Sequence, residues 1–406
     1  MRVLYVSHTA VVSGGERSLL ELLGALPADV QPLLATPPGP LQELARQRGV
    51  ATTPIQGTAG SLRMHPLHTP RALAEMALAA RQVRRAARRH GADVVHANSI
   101  RAGVVLALAR LRSTPTIVHV RDVLPRGAVS AATLRVIAAT ATLVLANSRY
   151  TAASVRARAP RARLRVLYNA VDVERFDPGR IDRARARARL GENGALLLGV
   201  VAQLSPWKGQ ETAIEALALL RERGLDARLL LVGSAKFVAR STRFDNEGYV
   251  QGLRALAARA GVEDRVRWLG EREDVPEIVR ALDALLLPSW EEPFGRTLIE
   301  AMALEVPVIA TSVGGPSELI EEGREGYLVQ PREPRRWADA IERIARSRDG
   351  GAEMGRAGAR KVHESFTIAH HLCATLEAYE DAISASHGAP QRGPDGRAGD
   401  PRAPCK

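Results

Sequence analysis

The segment EEPFGRTLIEAM, which begins at Glu291, sets two carboxylates and a cation around the start of a helix. Arg296 would stand in the first helical turn, where the macrodipole disfavours a positive charge. The N–H groups of Arg296, Thr297 and Leu298 have no intrahelical acceptor there. A phosphate would satisfy the arginine and the N–H groups together. Glu300, about one turn in, can accept hydrogen bonds from two vicinal ribose hydroxyls. Glu292, on the loop before the helix, can reach hydroxyls of a sugar. A first-turn glutamate that only offsets the dipole would account for Glu300, but not for Gly295, Arg296 and the second glutamate together.

VAQLSPWKGQETAIEALALL ends a strand and opens a helix, so Lys208 and Gly209 fall at another helix N-terminus. The same reasoning points to phosphate; the plainer reading is a solvated surface lysine. In SGGERS, Gly14 and Gly15 form either an ordinary tight turn or a place where backbone closely approaches a ligand. TIVHVRDV sets His119 and Arg121 on one face of a strand, with Asp122 beside them, and DVVHANS offers His96 and Asn98. A lone strand histidine is as often a packed core residue as a cleft-lining one, and both readings stand.

The elements that must position these residues follow from apolar runs alternating with amphipathic stretches. Strands are expected at RVLYVS, DVVHA, TIVHV, TLVLANS and RVLYNA, and then at LLLGVVA, ARLLLVG, VRWLG, ALLLPSW, VPVIAT and GYLV. Such runs suit strands buried on both faces of a parallel sheet with crossover helices. The fold expected is α/β, with two Rossmann-like doubly wound domains facing a cleft. Both halves open with strand, Gly-containing loop and helix. The expected division is an N-terminal domain at 1–171, a linker at 172–193 and a second domain at 194–365. A C-terminal helix at 366–385 would pack back toward the N-terminal domain, ahead of a disordered Gly/Pro-rich tail at 386–406.

Taken in order, these segments resemble the retaining glycosyltransferases of family 4, which have the GT-B fold. EEPFGRTLIEAMALEVPVIATSVGGPSELI looks like their E-x7-E signature and VAQLSPWKGQETAIEAL like their G-R-L-x-x-x-K-G loop. YNAVDVERF is similar to their N-G-V-D-x-x-x-F segment, and GGERSLLEL to their N-terminal glycine loop. The resemblance implies a nucleotide-diphosphate sugar bound mainly by the second half, and transfer with retention of configuration. Lys208 would hold the diphosphate with the N–H groups around Thr297, Glu300 the ribose and Glu292 the transferred sugar. Gln203, Gly209, Phe294, Gly295, Arg296 and Leu298 complete the donor set. Gly14 and Gly15 would admit the diphosphate to the first-domain backbone. Glu292, Lys208, His119 and Arg121 are the catalytic candidates; His96, Asn98 and Asp122 are the acceptor-binding ones. Two positions depart from the family pattern. Gln203 replaces an arginine, for which Arg296 is a candidate substitute, and Arg121-Asp122 stands where the family has His-Asp.

Hydrophobic and charged shares of 46% and 25% are those of a soluble globular protein. No run approaches the roughly 18–20 apolar residues that span a bilayer, and MRVLYVSHTA reads as a strand rather than an export leader. Two cysteines, Cys373 and Cys405, suggest neither a disulfide framework nor a metal site. The expected location is therefore cytoplasmic. No D-x-D motif occurs, so no metal is expected, and no cofactor beyond the nucleotide sugar as co-substrate. The missing G-x-G-x-x-G after the first strand excludes a dinucleotide oxidoreductase.

Charge is unevenly spread. Residues 1–180 carry 25 Arg, no Lys and 10 acids, a balance of +15 within a total of +13. That half is suited to an anionic partner. TPRALAEMALAARQVRRAARRHGAD reads as a helix with Leu73, Met76, Ala80, Val83 and Ala87 at helical spacing and arginines toward its end. It would either rest on anionic lipid at the inner face of the cell membrane or simply cover the sheet. With aromatics at only 4%, no base-stacking surface is expected, and so no nucleic acid. The function expected is transfer of a sugar to a glycan or lipid-linked acceptor of cell-envelope or polysaccharide biosynthesis. The alternatives are a GT-B enzyme acting on a small soluble acceptor, and a non-catalytic binding protein on a degenerate GT-B fold.

Overall fold

The computed structural model describes residues 1–58, 69–192, 194–236 and 245–386. The chain divides into two compact units. One comprises residues 1–170 together with the C-terminal helix; the other is Val171–Thr367. Residues 172–193, expected as a linker, are counted with the second unit and carry a helix whose Arg187 pairs with Asp283 at 2.9 Å.

In the first unit the strands are β1 (Arg2–Val6), β2 (Gln31–Thr36), β3 (Ala51–Pro54), β4 (Val94–Ala97), β5 (Thr116–Val120), β6 (Leu143–Ala146) and β7 (Leu164–Val166). They pair in parallel in the order β3-β2-β1-β4-β5-β6-β7. Helices α1 (Gly14–Ala25), α2 (Pro40–Gln47), α3 (Thr69–His90), α4 (Ile100–Ala109), α5 (Ala128–Thr140) and α6 (Arg149–Arg158) alternate with them.

The second unit adds α7 (Arg183–Arg189), β8 (Leu196–Val201), α8 (Gln210–Glu222), β9 (Ala227–Val232) and α9 (Asn246–Arg259). It continues with β10 (Val266–Gly270), α10 (Val275–Ala281), β11 (Ala284–Leu287), α11 (Arg296–Ala303) and β12 (Val308–Thr311). Its last elements are α12 (Pro316–Leu319), β13 (Gly326–Val329), α13 (Pro334–Ala345) and α14 (Ala352–Ser365). Its sheet order is β10-β9-β8-β11-β12-β13. Helix α15 (Ile368–Ser386) belongs to the first unit.

Both faces of each sheet are covered, which is why the strands read as continuous apolar runs. On β1, Leu4 and Val6 join Val83 of α3, Val105 of α4 and Ile137 of α5 in one core. Val3 and Tyr5 point the other way, to Leu19 and Leu22 of α1 and Tyr379 of α15. The strands β2 and β3 were not expected from sequence. Pro32 lies inside β2 and Pro54 closes β3, and proline within a short run argues against a strand unless the run lies near a sheet edge, as these do.

Each sheet has one switch point, between β1 and β4 in the first and between β8 and β11 in the second. In open α/β sheets ligands bind outside the strands' carboxyl ends at such points. Lys208 follows β8 and Glu292 follows β11; Gly14 follows β1 and Asn98 follows β4. Cys405 and the expected tail beyond Ser386 lie outside the described residues.

Candidate functional site

The segment after β8 turns through a short 3-10 helix, Pro206–Lys208, and enters α8 at Gly209. Gly209 has φ +68°, and a Cβ there would fall 2.0 Å from the Pro288 carbonyl oxygen at the end of β11. Only glycine allows the two loops to approach this closely. The Trp290 N–H then donates to the Trp207 carbonyl at 2.9 Å. The Lys208 ammonium lies 3.9 Å from the centroid of the Trp207 ring and donates to Glu292 Oε2 at 2.7 Å. Ser289 Oγ donates to the same oxygen at 3.0 Å.

Glu292 is also fixed from the other side. Its N–H donates to the Val313 carbonyl at 3.1 Å, and its carbonyl accepts from the Gly315 N–H at 2.8 Å. Gly314 has φ +112°, and a Cβ there would lie 2.0 Å from the Glu292 carbonyl oxygen. Helix α11 starts directly after Gly295, its N-cap. One turn later Arg296 Nε donates to Glu300 Oε1 at 2.8 Å. Both glutamates are buried, and each holds a cation of the same segment or its neighbour.

The expected donor residues of the second half therefore cluster at the switch point of the second unit, while Gly14 and Gly15 open α1 of the first; two refinements apply. The Leu298 N–H already donates to the Gly295 carbonyl at 3.0 Å, so it is engaged within the helix start rather than available to an anion. Phe294 turns inward, fully buried and edge-on to Phe366 at 6.2 Å; it anchors the loop from the apolar side. Gln203 donates to Ser205 Oγ at 3.2 Å and its carbonyl accepts from Gln210 Nε2 at 2.9 Å. Ser289, Gly314, Gly315 and the Trp207–Trp290 link were not singled out from sequence. The Gly-Gly-Pro between β12 and α12 was their one visible signal, a third strand–glycine–helix junction beside the first two.

In the first unit the structure gathers Gly15, Asn98 and Arg121. Arg121 is buried and donates from Nε to Asn98 Oδ1 at 3.1 Å and from Nη1 to Asn169 Oδ1 at 2.6 Å and Ser18 Oγ at 3.2 Å. Asn98 Nδ2 donates to the Gly15 carbonyl at 3.1 Å. Asp122 is exposed. His96 and His119 fall in the core instead. Both are fully buried, their rings stacked at 5.8 Å, with His371 of α15 stacked on His119 at 6.4 Å. His96 Nδ1 pairs with Tyr379 Oη at 2.6 Å. Neither nitrogen of His119 has a hydrogen-bond partner among the described residues. Burial, and then the nearby Arg121 charge, lowers the His96 pKa to about 3 and holds His119 well below its ordinary value. Both rings are neutral at pH 7 and take the packed reading rather than the ligand-facing one.

Comparison with known proteins bears on the two units as folds. Residues 12–175 match the family model described as Glycosyltransferase Family 4, and residues 182–361 match Glycosyl transferases group 1. Crystal structures of Anabaena HepE, in complex with UDP and glucose and with UDP-glucose, superpose with a TM-score of 0.79. They are 26% and 27% identical and cover 94% of this chain and 99% of theirs. The chain belongs to the GT-B glycosyltransferases. Among sequence relatives of this GT-B chain, the D-inositol 3-phosphate glycosyltransferase of Stackebrandtia nassauensis is 34% identical over 231 residues. That of Nocardia farcinica is 35% identical over 240 residues. These alignments take in 55% and 57% of this chain and 50% of each relative, so the chain spans about half the length of the curated relatives it matches. Among the described residues of this GT-B chain, no helix is long and apolar enough to cross a membrane, and no cluster of His, Cys, Asp and Glu is arranged to hold a metal ion.

Proposed function

We propose that this protein moves a sugar from a nucleoside-diphosphate donor to an acceptor hydroxyl. The observation that carries the reading is the pairing of Lys208 with Glu292 and of Arg296 with Glu300 at one sheet switch point. Two cations for a diphosphate and two acids for hydroxyls stand there already oriented. Lys208 and Arg296 offset charge on the departing diphosphate, Glu292 holds the transferred sugar and Glu300 the ribose. UDP is the first base to test, because HepE is crystallised with UDP and with UDP-glucose.

The likeness to family 4 favours retention. The C1–O bond to phosphate breaks as the acceptor oxygen bonds C1 on the same face, and the acceptor proton passes to the departing phosphate oxygen. Arg121 of the first unit is the catalytic candidate on the acceptor side, beside Asn98. The acceptor is a glycan or lipid-linked hydroxyl in cell-envelope or polysaccharide synthesis, handled on the cytoplasmic side. A second reading, a small soluble polyol phosphate as acceptor, is favoured by the inositol-phosphate relatives.

A thermal-shift screen with UDP, GDP, ADP, dTDP and CDP tests the donor assignment by linkage. Stabilisation by one base, lost in Lys208→Ala, supports it; no shift with any nucleotide sinks it. Product analysis by NMR decides retention, and dependence of turnover on a lipid-borne acceptor separates the two acceptor classes.

A further inference from the structure

Six large apolar side chains are exposed among the described residues, and all six belong to the first unit. Five of them lie on three adjacent helices: Leu73 (58% exposed) and Leu78 (45%) on α3, Leu108 (46%) on α4, and Val129 (42%) and Val136 (48%) on α5. Helix α3 packs beside α4, and α4 beside α5. Their inner faces share one core, with Val83, Val105 and Ile137 turned toward the sheet. The five exposed residues are therefore on the outer side of the same layer. On the sheet-covering reading Leu73 would be buried with Met76, Ala80, Val83 and Ala87; those four are buried and Leu73 is not.

The charge on this layer is predominantly positive. Arg81, Arg85, Arg88 and Arg89 of α3 and Arg135 of α5 are exposed. Helices α4 and α5 contain no acidic residue, and α3 contains only Glu75. An ordinary solvated helix face interleaves both signs and does not show leucines. Apolar side chains among arginines are what a headgroup layer accommodates: arginines meet lipid phosphates while the leucines and valines enter the acyl boundary.

We propose that the outer face of α3, α4 and α5 docks on an anionic phospholipid bilayer. Charge complementarity selects the lipid, and the exposed leucines and valines select a bilayer over a hydrophilic polyanion such as nucleic acid, which offers no apolar phase. The proposal goes beyond the transfer reaction and is measured without donor or acceptor, so its failure and that of the catalytic reading are separate.

The test is co-sedimentation of the full chain with phosphatidylcholine vesicles containing 0 or roughly 30% phosphatidylglycerol, across a salt series. Expected is binding that requires phosphatidylglycerol and weakens with salt. Arg85→Gln/Arg88→Gln/Arg89→Gln should lower the partition coefficient by about fivefold per arginine at low salt. Leu78→Ser/Leu108→Ser, both at solvent-facing positions, should lower it at every salt concentration while leaving retention on heparin unchanged. Equal binding to both vesicle types overturns the proposal. So does vesicle binding indifferent to the Leu78/Leu108 substitutions, which would make the face a general polyanion binder. Circular dichroism confirms that the variants compared are folded.

Discussion

Lys208 and Glu292 are 84 residues apart in sequence, yet their side chains meet at 2.7 Å with only 14% and 9% of each exposed. Removing one partner strands the other charge in a nearly dry position. Lys208→Met and Glu292→Gln should each cost roughly 3 kcal/mol of stability, and the double variant less than their sum. Activity should behave differently, falling by about a hundredfold or more in all three. Denaturant melts and initial rates on the same preparations check this. A double variant that regains both stability and turnover would reduce the pair to a structural salt bridge.

Glu300 makes a prediction about the donor's sugar. If its carboxylate takes both ribose hydroxyls, the protein should prefer a ribonucleotide over its 2′-deoxy analogue by about tenfold or more, the loss of one charge-assisted hydrogen bond. Glu300→Ala should abolish that preference. Calorimetric titration of UDP and 2′-deoxy-UDP into both proteins measures it, and an unchanged preference in the variant would move the ribose elsewhere.

Much of this was legible in the sequence because strand and helix patterning is local. The runs VVHA, TIVHV and ALLL declared buried parallel strands, and the three strand–glycine–helix junctions declared which segments would meet at the sheet's carboxyl ends. Less was legible where tertiary contact decides. His119 on a strand could face either a ligand or the core, and only the docking of α15, which brings His371 and Tyr379 from the far end of the chain, settles it. Gly314 was not singled out from sequence; its role appears only when the loop after β12 is seen pressed against the Glu292 backbone. Leu73 kept the helical spacing of its neighbours, yet it is exposed while they are buried.

Gly314→Ala should be among the most damaging small substitutions in the chain. It forces a Cβ to within 2.0 Å of the Glu292 carbonyl oxygen and into φ +112°. Strain of about 1–3 kcal/mol from the dihedral adds to the clash, and the loop carrying Glu292 must move. Expected is a lower melting temperature together with a raised KM for the nucleotide sugar. Gly24→Ala, in a helix with nothing within 4 Å of the added Cβ, is the matched control and should leave both unchanged or slightly improve stability.

Both acidic groups of the candidate donor site are already matched by protein cations, Glu292 by Lys208 and Glu300 by Arg296. A divalent ion at either carboxylate would have to displace one. Turnover should therefore persist within about twofold in excess EDTA, whereas Arg296→Ala should lower it by roughly a hundredfold. Loss of activity in EDTA that Mg²⁺ restores would show that the diphosphate needs a metal as well as these side chains.

The histidine stack makes the stability of the first unit depend on pH. The His96 pKa lies near 3 in the folded chain against an ordinary 6.5, and His119 is depressed likewise. Between these values the unfolded chain binds the proton and the folded chain does not. For His96 that stability is complete above about pH 6.5 and is lost as pH falls toward 3, by about 1.4 kcal/mol per unit, and His119 acts in the same direction. His119→Phe keeps an aromatic ring in the stack and removes two nitrogens that have no partner among the described residues. Between pH 7 and pH 5 the wild-type chain should therefore lose more stability than the variant. All four tryptophans, Trp207, Trp268, Trp290 and Trp337, lie in the second unit, so their fluorescence does not isolate this effect. Native-state hydrogen exchange of the β4 and β5 amides does. Equal pH slopes in the two proteins would mean that His119 is hydrated or protonated in the folded state.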